Sequence, residues 1–216
     1  MKTLIVVPCM DQVPARFAQA LAMLQKDGEC AVAFQIGSLI YDSRNALAKK
    51  AIQMAADFVL WLDSDMVFPP DTLQRMMKTM KERGIDILTG LYYRRVPPYS
   101  PVIFDKLEIR EDGIGADWTN FVDVPKELFK VGGCGFGCVL MRTDVLMSVA
   151  ATNGGRMFDP YTGLGEDLAL CWRARKAGYE IWCDPELSLG HVGNVVITHD
   201  YYDALKLSEE EKCSQH

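Results

Sequence analysis

Asp63, Ser64 and Asp65 follow directly on the apolar run Phe58-Val59-Leu60-Trp61-Leu62, so a buried strand delivers two carboxylates to one edge. Carboxylates one residue apart repel, and burial raises the cost of each charge unless a cation or hydrogen-bond donors compensate it. A hard divalent cation is the simplest compensation. An Asp-x-Asp at a strand end can hold magnesium or manganese whose other ligands are the oxygens of a diphosphate. The tripeptide alone fits a solvated turn equally well, and the flanking sequence has to decide. A second acidic pair, Glu166-Asp167, opens a helical pattern after the turn-rich stretch Phe158 to Gly165. Acidic residues complement the dipole of a first helical turn. The functional reading makes Asp167 a general base that takes a proton from an attacking hydroxyl. His191 lies in Gly190-His191-Val192-Gly193, where the glycines leave the backbone free to bring a neutral imidazole to a manganese-type site beside carboxylates. His199, in the polar stretch Thr198-His199-Asp200, is the weaker competitor.

These residues need elements to place them. Over residues 1–90, strand-like and helix-like segments alternate: a strand at Leu4 to Val7, a helix with Phe17, Leu21 and Leu24 on one face, and a strand at Ala31 to Ile36. A helix capped by Ser43 follows, with Leu47, Ala51, Ile52 and Ala55 as its buried stripe. After the strand Phe58 to Leu62, Pro69-Pro70 start a helix marked by Leu73, Met76, Met77 and Met80 and stopped by Gly84. A strand at Ile85 to Leu88 completes a series that favours a mostly parallel α/β sheet flanked by helices, with its ligand at the carboxyl ends of the strands. From Tyr92 to Val131, Pro97, Pro98, Pro101 and Pro125 break the pattern into a small irregular or antiparallel subdomain without its own core. The glycine-rich stretch Gly132 to Gly137 fails Gly-x-Gly-x-x-Gly, because Cys138 holds the third required position, and predicts close backbone approach to a ligand instead. A helix from Glu166 to Gly178 and a strand at Ile181 to Asp184 close the series.

At 216 residues, the chain suits one domain over 1–205 with a C-terminal tail over 206–216, solvated or disordered from Ser208. A net charge of −6 offers no long-range attraction to polyanions. The apolar start is too short for a signal peptide, and no stretch approaches the roughly 20 residues that cross a bilayer, so the expected location is the cytoplasm. Seven scattered cysteines without a Cys-x-x-Cys pair fit reduced thiols. Cys134 and Cys138 lie in the glycine-rich stretch with no second pair, which speaks against zinc.

In their order along the chain, Ser43-Arg44-Asn45, Asp63-Ser64-Asp65, Gly165-Glu166-Asp167 and His191 resemble family-2-type glycosyltransferases of the GT-A fold, over roughly residues 2–195. With Thr89-Gly90-Leu91-Tyr92-Tyr93-Arg94-Arg95, the compact chain looks like short single-domain members encoded by bacteriophages, which would put it in the host cytoplasm. The resemblance implies a sugar transferred from a nucleotide diphosphate sugar, by default a UDP-sugar with a GDP-sugar as alternative, with Mn²⁺ or Mg²⁺. It implies a donor site of Pro8, Arg44, Asp63, Ser64, Asp65 and Gly133. Asp65 and His191, with Asp63, would hold the metal; Asp167, beside Glu166, would be the base of an inverting displacement. Gly133 to Gly137 would lie between donor sugar and acceptor, which is a hydroxyl of a glycan, a protein or a modified DNA base. Tyr92, Tyr93, Arg94, Arg95, Trp118 and Phe136 are candidate acceptor contacts, with Tyr92 and Tyr93 able to stack on a flipped base. Two other functions compete. A nucleotidyltransferase would carry a glycine-rich basic loop where Cys9-Met10-Asp11-Gln12-Val13-Pro14 stands. A catalytically silent nucleotide-sugar-binding module would not require Asp63, Asp65, Asp167 and His191 together.

Overall fold

The computed structural model describes residues 1–37, 39–193, 196–204 and 206. The tail expected over 206–216 lies outside the described residues except for Lys206. Along the chain run β1 (Lys2–Cys9), α1 (Ala15–Met23), β2 (Glu29–Ile36), α2 (Ile40–Gln53), β3 (Phe58–Leu62), β4 (Met66–Val67), α3 (Thr72–Arg83) and β5 (Ile87–Leu91). Then come β6 (Ile103–Ile109), β7 (Ala116–Asn120), β8 (Phe129–Val131), β9 (Gly133–Cys134), β10 (Cys138–Arg142), α4 (Thr143–Thr152), α5 (Glu166–Lys176), β11 (Ile181–Ser188), β12 (Gly190–Val192) and β13 (Val196–Ile197).

Strands β1 and β3 read as unbroken apolar runs because helices cover both faces of the sheet they build. Alternate residues enter opposite cores: Leu4 and Val6 join Leu47 and Ala51 of α2 and Val145 of α4, while Ile5 and Val7 join Phe17 of α1 and Met76 of α3. The sheet has seven strands in the order β2-β1-β3-β10-β5-β11-β8. β1, β2 and β3 pair in parallel, as do β5 and β11, whereas β10 and β8 run against their neighbours. The sheet is therefore mostly parallel and bears out the GT-A expectation. One adjacency differs from the sequence series. β3 and β5 are not neighbours, because β10 inserts between them with Cys138 and Leu140 in one core and Val139 and Met141 in the other.

The proline-broken excursion forms a three-stranded antiparallel sheet, β7-β6-β9, whose Ile103, Phe104 and Leu107 merge into the main core. A second small sheet, β13-β12-β4, sits beside the end of β3. Two local expectations need correcting. Helix α2 starts at Ile40 with Leu39 as its N-cap, so Ser43 lies inside the first turns, buried against Gly37, where a Cβ would meet its Oγ at 2.7 Å. Ala55 lies beyond the helix in a left-handed conformation (φ 49°) and is exposed; Ala48 takes its place in the buried stripe. The Gly84 stop holds: it is left-handed (φ 65°) directly after α3. The six described cysteines are free thiols, and no helix among the described residues is long and apolar enough to cross a membrane.

Candidate active site

The carboxyl ends of β1 and β3, the first turns of α2 and α5, and β12 converge on one cleft of about 410 Å³. Pro8, Arg44, Asp63, Ser64, Asp65, Glu166, Asp167 and His191 all line it. Local pairing explains how. After Asp63, a turn closed by the Met66 amide on the Asp63 carbonyl (3.2 Å) leads into β4, which pairs with β12 so that His191 stands opposite Met66. The Val192 amide donates to the Asp65 carbonyl at 2.7 Å, and this register carries His191 to Asp65 from 126 positions away. Of the two candidate histidines, only His191 reaches the cleft. His199 is bonded to the Tyr93 hydroxyl at 2.6 Å and faces Asp203 at 3.3 Å.

Arg44 is buried beneath the cleft, its guanidinium 5.2 Å from the Phe136 ring and 5.9 Å from the Phe158 ring. It donates to Asp63 Oδ1 at 2.9 Å and lies 3.4 Å from Glu166 Oε1, which leaves Nε and NH1 without a hydrogen bond. A cation so desolvated is tolerable only because carboxylates flank it. Next along the helix, Asn45 accepts from the Met157 and Phe158 amides at 2.7 and 3.0 Å and donates to Asp159 at 2.9 Å. The Ser43-Arg44-Asn45 triplet thus binds the strand-end acid on one side and, on the other, the loop that leads to Glu166. Desolvation pushes the Asp63 carboxyl up to about 6, against the pull of Arg44 and with the help of Asp65, Asp167 and Glu166. Burial also raises Glu166, with Arg44 opposing and Asp167 adding to the rise.

Asp65 has a different environment. His191 Nδ1 lies 2.9 Å from the Tyr93 carbonyl, which can only accept, so Nδ1 carries the proton. In the neutral ring, Nε2 is then a lone pair facing Asp65 Oδ2 at 3.3 Å, an acceptor against an acceptor. A positive charge between them, either a proton or a metal ion, resolves that contact. Burial opposes the imidazolium, but Asp65 and the Tyr93 carbonyl outweigh it and hold the His191 pKa above its usual value. Burial would likewise raise Asp65, yet His191 and Arg95 bring it below the ordinary carboxylate range. Arg95 reaches the same Oδ2 at 2.6 Å. No three His, Cys, Asp or Glu side chains among the described residues are gathered in a preformed metal cage. One carboxylate and one imidazole nonetheless fit an ion that takes its remaining ligands from a diphosphate and water, and the hydrogen bond from Nδ1 to a carbonyl is the usual support for a ligating histidine. Asp167 accepts from the Leu168 amide at 2.7 Å and forms no ion pair among the described residues.

Some expectations fall elsewhere. Gly133 is buried in β9, where a Cβ would meet Leu107 and Leu168 at 2.9 and 3.1 Å; it does not line the cleft. A Cβ on Gly137 would meet the Tyr92 ring at 2.7 Å, so the glycines accommodate protein neighbours. Tyr92 and Tyr93 cannot stack on a flipped base: they are 4% and 0% exposed, and the Tyr92 hydroxyl accepts from the Gly137 amide at 3.0 Å. Phe136 is buried against Trp61 and Arg44, while Trp118 is exposed on β7. Sequence reasoning did not assign Arg95 to the donor site, nor did it find the Tyr93 carbonyl or the clamp made by Asn45. A larger recess of about 860 Å³ near Asp105, Lys130 and Arg175 holds none of these strand-end acids, and its Arg175 is committed to the Leu107 carbonyl.

Comparison with known proteins agrees with the fold that builds this cleft. The family described as glycosyltransferase like family 2 matches residues 3–198. Among solved structures, A197 from STIV is similar over 93% of this chain and 92% of that one, with a TM-score of 0.68 and 19% identity. GalNAc-T7, crystallised with UDP, GalNAc and Mn²⁺, is similar over 89% of this chain and 43% of that one, with a TM-score of 0.61 and 8% identity. At such identities, these two likenesses speak to the fold. No curated protein matches the chain.

Proposed function

We propose that this chain, which belongs to the glycosyltransferase like family 2, moves a sugar from a nucleotide diphosphate sugar to an acceptor hydroxyl with inversion, residues 1–205 serving as one catalytic domain. The observation that carries this reading is the charge of the cleft. Asp63, Asp65, Glu166 and Asp167 face Arg44 and Arg95 in the cleft, a formal balance of two minus four, or −2, which stays negative at −1 when His191 is protonated. A diphosphate does not enter such a cleft unaided. Asp65 and His191 would hold Mn²⁺ or Mg²⁺, which would neutralise charge on the departing diphosphate. The chain's own residues supply the rest. Arg44 fixes Asp63 at the donor and keeps Glu166 from repelling it, and Pro8 and Ser64 line the nucleotide end. Asp167 takes the proton of the acceptor hydroxyl as that oxygen bonds to the anomeric carbon; the bond to the diphosphate breaks on the opposite face and its electrons leave with the nucleotide.

The UDP and Mn²⁺ in the GalNAc-T7 crystals support a UDP-sugar as the first donor to test, with a GDP-sugar as the alternative. The acceptor is a hydroxyl of a glycan, a protein or a modified DNA base. The nucleotidyltransferase alternative is disfavoured because Pro8, Cys9 and Met10, which line the cleft at the end of β1, include no basic side chain. Calorimetric titration with UDP-hexoses tests the reading. Binding should require Mn²⁺ and should weaken at least about tenfold in Asp65→Ala, the cost of losing a contact to a charged ligand. Binding that ignores both metal and mutation would contradict it.

A further inference from the structure

Arg95 lies outside the metal and nucleotide residues expected from the sequence, yet it lines the cleft and grips Asp65. Its NH1 is 2.6 Å from Asp65 Oδ2, the oxygen that faces His191 Nε2 at 3.3 Å. A guanidinium therefore occupies the oxygen that a divalent cation, bound by the same carboxylate and imidazole, would need. Arg95 sits on a hairpin whose backbone is fixed on both sides: Tyr93 pairs with Pro101, the Arg94 amide donates to Ser100 at 2.9 Å, and the Tyr99 amide donates to Val96 at 3.0 Å. The Arg95 side chain itself is 52% exposed and can change rotamer without breaking any of those bonds.

Building on the nucleotide-sugar reading, we propose that Arg95 stands in for the divalent cation at Asp65 in the free protein and passes to the diphosphate when cation and nucleotide bind, which makes their binding cooperative. A dication and a guanidinium crowded on the same carboxylate oxygen repel each other, so metal binding favours release of the guanidinium. Displacement is easy, because a half-exposed ion pair biases a competing equilibrium by no more than about fivefold. Once released, the planar guanidinium matches the paired oxygens of a phosphate. The cation frees the arginine, the diphosphate gives it a partner, and the coupling is reciprocal.

The test is Mn²⁺ binding, read as loss of the free-ion paramagnetic resonance signal, with and without UDP, in the wild type, Arg95→Ala and Arg95→Lys. Without UDP, Arg95→Ala should bind Mn²⁺ about two- to fivefold more tightly than the wild type. With saturating Mn²⁺, it should bind UDP about tenfold more weakly. Arg95→Lys, which keeps the charge without the fork, should fall between the two in both measurements. Equal Mn²⁺ affinity in wild type and Arg95→Ala, or unchanged UDP affinity, would overturn this inference and leave the donor site standing. Failure of the wild type to bind Mn²⁺ with or without UDP would overturn the cation site and, with it, the role of Arg95.

Discussion

Asp167 is the residue on which the proposed chemistry turns. Its Oδ1 is taken up by the Leu168 amide, and its place in the first turn of α5 sets it beside the positive end of the helix dipole. Asp167→Asn preserves shape and that hydrogen bond but cannot accept a proton. Turnover of a UDP-sugar should fall by about 10²- to 10⁴-fold while donor affinity, measured by calorimetry, stays at the wild-type value. An equal loss in both would make Asp167 a binding residue. Asp63 and Asp65 were legible in the sequence because charge at the end of a buried run must be compensated by something, whereas Asp167 stood out as an acid opening a helix and His191 by its flanking glycines, their roles resting on the family resemblance. Arg95 was harder to see: Arg94 and Arg95 are adjacent and alike, and only the hairpin turn decides which one meets Asp65. Gly133 misled for the opposite reason. A missing side chain signals a close approach but does not say to what, and here the neighbours are Leu107 and Leu168.

Helix α2 and strand β10 do most to assemble the cleft. β10 pairs Cys138 with Leu62, which sets the Gly137 carbonyl 3.0 Å from the Asp63 amide and fixes the first acid. The run Cys138 to Met141 is visibly apolar in the sequence, but its insertion as a strand between β3 and β5 is not legible there, since nothing local records a partner some 50 to 80 positions away. Helix α2 acts through Asn45, which holds the Met157 and Phe158 amides and so the loop entering α5. Asn45→Ala strands two buried donors and should destabilise the fold by about 1–3 kcal/mol in urea unfolding. An unchanged midpoint and slope would show that the loop is held by packing alone.

At the scale of the whole molecule, two apolar cores clamp the sheet from either side, and the strand ends project their polar residues past both. The chain carries a net charge of −6, and its cleft shares that sign, so long-range attraction does not bring a nucleotide in. On the proposed function, binding is won locally, through a cation held at Asp65 and His191 and through Arg95. Composition and the βα alternation conveyed the fold class, and the order of the motifs conveyed the family; the charge balance of the cleft emerged only once the elements were assembled. The most direct measurement is release of UDP from a panel of UDP-hexoses by purified protein in Mn²⁺, with water as the acceptor, beside Asp65→Ala. Slow release by the wild type that vanishes on chelation and in the variant is the result expected. No release and no binding of any UDP- or GDP-sugar by the folded protein, with or without Mn²⁺, would contradict the assignment of this cleft to sugar transfer.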